Sequence, residues 1–272
     1  VTQPGPVTLI TGLARSGTTL TVALLNDQPD TIALAEPLPL AQMSDDPDRF
    51  ADEIAAFAAD MRRSALQDGT IRSKAVDGQM LGSFVTDRDS GQGLRKTKAR
   101  ITALDITKPL SPDFRLYIKH PAAFTALTDR LSRRFPFFAC IRSPLSVLAS
   151  WQTVDMPVNQ GRAPVAERFS PALRVALDAI PDALDRQVFL MASFLEKYAA
   201  LPRTQVLRFE DLIRDPSAAL AHICPGAQAE IKNRETQDLA ARYPSVDIGR
   251  LRHALLPIEP LIRHHYPEGL PY

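Results

Sequence analysis

Strands alternating with helices along the chain predict an α/β protein with a mainly parallel sheet covered by helices on both faces. Three observations carry that expectation. A β-rich apolar run near the start ends in a glycine-bearing turn that leads into a helix, and later strand-like runs are each followed by helical stretches. No internal repeat and no linker interrupts the pattern, so residues 1–272 read as one domain.

The elements follow in order. Residues 7–11 (VTLIT) form the first strand candidate, and Leu20 to Asn26 starts a helix that Pro29 stops. Residues 31–34 are a second short strand, followed at once by Glu36 and Pro37. Alanine and apolar residues recur at helical spacing from Pro47 to about Leu66. Residues 68–113 are polar and glycine-bearing, with the weakest structural signal in the chain. Arg115 to Lys119 is strand-like, Pro121 opens an amphipathic helix running to Arg134, and residues 137–142 (FFACIR) form a buried strand. A helical stretch then runs to Trp151, a long helix is expected from Asp182 to Leu201, and residues 205–209 are the last strand.

Composition narrows the function. With 32 Lys+Arg against 31 Asp+Glu the net charge is +1, which argues against a protein that coats nucleic acid. Cys140 and Cys224 are the only cysteines, too few for a disulfide framework, and read as two buried thiols. No stretch approaches the roughly 20 apolar residues of a membrane span, and residues 1–6 lack the features of a signal peptide. A cytoplasmic enzyme is the simplest fit.

Residues 12–19 (GLARSGTT) are the most informative segment. A strand, a tight turn and a helix N-terminus aim backbone N–H groups at one point, and the helix dipole favours an anion there. Gly12 and Gly17 match the glycine spacing of a nucleoside-triphosphatase loop, but Thr18 stands where such an enzyme needs lysine. The cation is Arg15 instead. Residues 101–105 are the nearest match to a Walker B strand and are short and polar.

The run from Arg15 to Leu20 (RSGTTL) resembles the 5′-phosphosulfate loop of sulfotransferases that use 3′-phosphoadenosine 5′-phosphosulfate (PAPS). The tyrosylprotein and many bacterial members share its Arg-Ser-Gly-Thr-Thr form. Arg142 at a strand end and Ser150 in the next helix resemble the family's 3′-phosphate element. Residues 206–216 (VLRFEDLIRDP) are similar to its Tyr-Glu-Asp-Leu segment, with Phe209 replacing tyrosine, and residues 248–252 (IGRLR) resemble a C-terminal Gly-Arg segment. Residues 68–113 lie outside the resemblance.

The resemblance implies a three-layer P-loop-like sandwich with a helical lid, and sulfuryl transfer from PAPS to an acceptor hydroxyl with release of the product 3′,5′-ADP (PAP) and no metal. It assigns Arg15, Ser16, Gly17, Thr18 and Thr19 to the 5′ end of the cofactor, and Arg142 and Ser150 to its 3′-phosphate, with Arg250 or Arg252 closing over it. The catalytic set is Glu36, Lys119 and Arg15: Glu36 as a base with a raised carboxyl pKa, Lys119 as a stabiliser of developing charge. His120, directly after Lys119, is the rival base. Trp151 is either adenine contact or core. The basic run Arg95 to Arg100 reads as solvated, and His264 and His265 as surface residues. The acceptor is a small-molecule, glycan or other hydroxyl that no motif identifies, and the oligomeric state is equally unmarked. A kinase-like P-loop enzyme and a non-catalytic PAPS- or PAP-binding module are the alternatives.

Overall fold

Successive side chains of a strand point to opposite faces, and in the computed structural model, which describes residues 7–85, 93–231 and 238–269, Val7 and Leu9 of the first strand enter one core while Ile10 enters the other. The strands are β1 (Val7–Gly12), β2 (Thr31–Ala35), β3 (Thr70–Ala75), β4 (Arg100–Asp105), β5 (Arg115–Lys119), β6 (Phe137–Ile141) and β7 (Val206–Arg208). Five of them form a sheet in the order β2-β5-β1-β6-β7, with every neighbouring pair parallel. Their carboxyl ends therefore share one edge, where open α/β sheets place ligands. The predicted α/β class, with a mostly parallel sheet, stands.

Helices cover both faces. They are α1 (Thr18–Asn26), α2 (Pro47–Gln67), α3 (Pro121–Ala126), α4 (Thr128–Arg134), α5 (Pro144–Trp151), α6 (Pro164–Phe169), α7 (Pro171–Asp178), α8 (Ala183–Ala199), α9 (Phe209–Arg214), α10 (Pro216–Leu220), α11 (Leu239–Arg242), α12 (Ile248–Ala254) and α13 (Glu259–His265). The larger core joins Leu9, Ile118 and Ile141 of the sheet to Phe50, Phe124, Leu148 and Phe194 of the helices. The smaller core joins Ile10, Tyr117 and Cys140 to Leu25, Leu212 and Leu220 on the other face. Both cysteines are free, buried thiols, as expected. No helix among the described residues is long and apolar enough to cross a membrane.

Two sequence expectations change. The helix expected from Ala122 to Arg134 breaks at Leu127 (φ −104°, ψ 18°). There the Thr128 hydroxyl donates to the carbonyls of Phe124 (3.2 Å) and Thr125 (2.9 Å), competing with the helical ladder. The weakly patterned residues 68–113 contain the antiparallel pair β3–β4, separate from the main sheet. The short run at 101–105 is thus an outer strand and not part of a nucleotide edge. Ser73, fully buried on β3, accepts from the Ala35 N–H (2.9 Å) and anchors the pair beside the end of β2.

The turn after β1 is tightly held. Gly12 has φ +152°, and a Cβ placed there would lie 2.3 Å from the Cys140 carbonyl oxygen on β6. Backbone cannot yield that distance, so Gly12→Ala should cost about 2 kcal/mol or more in chemical denaturation. Unchanged stability would contradict the close approach of the two strands.

Candidate active site

The glycine turn sets the first part of the site. Gly17, at φ +89°, is the N-cap of α1, and no side chain caps that helix and no acidic residue occupies its first turn. Its leading N–H groups have no intrahelical acceptor, so the helix end presents donors and a positive dipole to an anion. Ser16 does not share that task as expected. Its N–H donates to the Leu13 carbonyl (3.1 Å) and its hydroxyl to the Cys140 carbonyl (2.8 Å), which spends both donors on shaping the turn. Trp151 is fully buried and its indole N–H donates to the Ala14 carbonyl (2.9 Å), so it is core that braces the turn from α5.

Arginines gather next to the turn. Arg15, held at φ +72°, donates from Nε to Ser150 Oγ (3.2 Å), and Arg95 donates to the same oxygen from Nη2 (3.2 Å). Tyr243 is hydrogen-bonded to Ser150 as well, and burial, which raises its pKa, is outweighed by that bond and by Arg142, Arg242 and Arg95. The Arg95 guanidinium lies 5.6 Å from the Tyr243 ring centre and that of Arg242 5.8 Å. Arg142 stacks on Phe209 at 4.5 Å, and Phe209 in turn packs against Gly17. Burial and then the charge of Arg95 lower the Arg15 pKa to about 10. Among the described residues, none of Arg15, Arg95 and Arg142 has a carboxylate at ion-pair distance. Crowded, desolvated cations without carboxylate partners are the signature of an anion site.

The expected residues Arg142 and Ser150 thus converge, and Arg15 joins them. Its Nε donates to Ser150 and not to the Glu36 carboxylate. Arg95, read from the sequence as part of a solvated run, is instead fixed by Thr153 (Nη2 to Oγ1, 2.7 Å) and belongs to the cluster. Arg242 and Tyr243 were missed because they carry no spacing signal of their own. Arg250 is exposed on α12, with its N–H capped by Asp247 (2.9 Å). His265, expected on the surface, is buried with Nε2 3.0 Å from the Leu195 carbonyl. The Glu of the Glu-Asp-Leu segment, Glu210, accepts from the Ser143 N–H (2.8 Å) and the Tyr266 hydroxyl (3.0 Å), fixing the start of α5.

The second part of the site lies at the ends of β2 and β5, which are in register at Ala35 and Lys119. Glu36 adopts φ +47°, an unfavourable conformation for a side-chain-bearing residue of the kind that gathers at functional sites. Its carboxylate accepts from Lys119 Nζ (2.7 Å, Oε1) and Lys74 Nζ (2.8 Å, Oε2). Burial would raise this carboxyl, but the two ammonium groups and their hydrogen bonds outweigh it and hold the group well below the usual carboxylate range. The raised value expected from the sequence is reversed, because the sequence shows neither that Lys119 pairs with this carboxylate nor that Lys74 on β3 joins it. Lys119 is almost wholly buried, 3.4 Å from Thr19 Oγ1 and 5.7 Å from the Phe84 ring centre.

His120 is placed differently. It is buried, and its Nε2 accepts from the Leu38 N–H (3.0 Å), so that nitrogen's lone pair is occupied. A cavity of about 330 Å³ connects Arg15, Thr18 and Thr19 with Glu36, Lys74 and Lys119. Burial first, with Lys119 and Lys74 adding and Glu36 opposing, lowers the imidazole from 6.5 to about 3. The folded protein therefore refuses a proton that the unfolded chain takes up, and stability falls as pH drops from about 6.5 towards 3. Between those values the unfolding free energy of His120→Gln should fall less steeply than that of the wild type; parallel slopes would contradict the neutral, buried imidazole.

Among solved structures the chain is similar to the sulfotransferase STF1 of Mycobacterium tuberculosis H37Rv, at 14% identity and TM-score 0.40, covering 94% of this chain and 77% of that one. It is similar to the sulfotransferase domain of the curacin biosynthetic pathway, at 14% and 0.40, covering 91% and 80%. A third is the sulfotransferase domain of the Synechococcus PCC 7002 olefin synthase, at 14% and 0.41, covering 93% and 94%. Comparison with curated protein sequences gives no match. The family model described as Sulfotransferase family matches residues 6–232, a span running from the start of β1 past β7, and with that match the chain belongs to the sulfotransferase family.

Proposed function

We propose that the chain transfers a sulfuryl group from PAPS to the hydroxyl of an acceptor, releasing 3′,5′-ADP. The observation that carries this reading is the gathering of Arg15, Arg95 and Arg142 around Ser150 and Tyr243, beside the uncapped end of α1. A nucleotide with one anion at the helix end and another at the arginines satisfies both sets of donors. An ATP-dependent reading lacks its lysine, since Thr18 stands in that place.

PAPS when bound supplies an activated sulfuryl group, and the chain's own residues position and neutralise charge. The N–H groups of α1 and the loop hold the 5′ end, while Arg142, Arg95 and Ser150 hold the 3′-phosphate. Glu36 accepts the acceptor's hydroxyl proton as the acceptor oxygen bonds to sulfur. The bond from sulfur to the phosphate oxygen breaks, and its electron pair leaves with 3′,5′-ADP. Glu36 held between two lysines is a weak base. Once Lys119 is drawn to the charge at the transferring group, only Lys74 opposes protonation, and the carboxylate becomes more basic at the moment it is needed.

Glu36→Gln should lower turnover by roughly 10²-fold or more while 3′,5′-ADP affinity is kept. Turnover at the wild-type rate would remove Glu36 from proton transfer. Arg142→Ala should weaken 3′,5′-ADP far more than 5′-AMP in calorimetric titration, and equal losses would place the 3′-phosphate elsewhere.

A further inference from the structure

The cavity above the Glu36–Lys119 pair also has walls, and their chemistry is more selective than the pair itself. Its apolar lining includes Leu40, Phe84, Val85, Met156, Val158 and Val165. Three separate segments supply them: the loop after β2, the stretch following β3, and the turn into α6 together with α6 itself.

Most polar side chains bordering the same space are engaged or face the anion site. Glu36, Lys74 and Lys119 hold one another. His120 Nε2 accepts from Leu38, and the Thr97 hydroxyl donates to the Phe84 carbonyl (3.3 Å). Arg15 donates to Ser150, and Thr18 and Thr19 belong to the turn that faces the anion. A molecule with one reacting hydroxyl finds a partner in Glu36 and an apolar surface for the rest of its body. A sugar brings several further hydroxyls, and a peptide brings backbone N–H and C=O groups. Each of these would be desolvated against Leu40, Met156 or Val165 without a partner, which costs free energy comparable to a lost hydrogen bond. The volume, about 330 Å³, lies at the lower end of the roughly 300–1,000 Å³ found for small-molecule pockets.

We infer that the acceptor is a small, uncharged, largely apolar alcohol or phenol whose hydroxyl meets Glu36 and whose body lies against the wall formed by Leu40, Phe84, Met156 and Val165. This rests on the sulfotransferase reading above and narrows its acceptor from any hydroxyl to that class.

The test is binding to the full chain saturated with 3′,5′-ADP, using 2-naphthol, 1-octanol and methyl β-D-glucoside as probes, with and without Val165→Asp. Val165 is half-buried in the first turn of α6, at the margin of the larger core, so the aspartate sets a charge on the wall while keeping a solvent-facing side. The expected result is that 2-naphthol or 1-octanol binds, the glucoside does not, and Val165→Asp weakens the apolar probe at least tenfold with 3′,5′-ADP affinity unchanged. Binding of the glucoside in preference, binding of neither apolar probe, or indifference to Val165→Asp overturns the acceptor class while 3′,5′-ADP binding leaves the donor reading intact. Failure to bind 3′,5′-ADP overturns both.

Discussion

The turn from β1 into α1 is pressed against β6 and α5 by a set of contacts on which the remaining arrangement depends. Gly12 lets the Cys140 carbonyl approach, the Ser16 hydroxyl donates to that same carbonyl, and Trp151 donates to Ala14. These contacts fix where Arg15 leaves the turn, and its Nε then reaches Ser150 on α5. Two elements far apart in sequence become one surface of hydrogen-bond donors: the helix end at Gly17 and the arginines around Ser150. Phe209 completes the junction by packing on Gly17 on one side and under Arg142 on the other. An aromatic ring suffices for that packing, which explains how phenylalanine serves where the family resemblance has tyrosine.

Charge is divided between two zones. At the arginine zone, positive groups crowd together and repel one another, consistent with the lowering of Arg15 by burial and Arg95. At the other zone, Glu36 is compensated twice over by Lys119 and Lys74. The first zone calls for an external anion, whereas the second pairs its one carboxylate with two ammonium groups and keeps a single positive charge in excess. The parallel sheet makes this division possible, because β1, β2, β5 and β6 end on one edge and deliver the turn, Glu36, Lys119 and Arg142 side by side.

Residues in or adjoining the parallel strands were legible from sequence. Short apolar runs bounded by glycine or proline marked β1, β5 and β6, and the motifs attached to them singled out Arg15, Lys119, Arg142 and Ser150. What lay on the antiparallel pair and its flanks was not. Lys74 and Arg95 sit in a polar, glycine-bearing stretch whose burial comes from docking against β2 and α5, a tertiary effect that leaves no periodicity. The Glu36 carboxyl is held low by Lys119 first and Lys74 second, a pairing of three strands' ends that no single segment reveals. His120, the rival base, has its Nε2 lone pair spent on the Leu38 N–H, a contact across 82 residues that the sequence does not reveal. Arg242 and Tyr243 come from a short helix near the C-terminal end, where an Arg-Tyr pair is too common to stand out.

The most direct test of the central claim is a calorimetric titration of the wild-type chain with 3′,5′-ADP, 5′-AMP and magnesium ATP. Two anion-binding zones joined by Arg15 predict tight binding of 3′,5′-ADP, much weaker binding of 5′-AMP, and no preference for magnesium ATP. Equal affinity for 3′,5′-ADP and 5′-AMP, or a preference for magnesium ATP, would contradict the account.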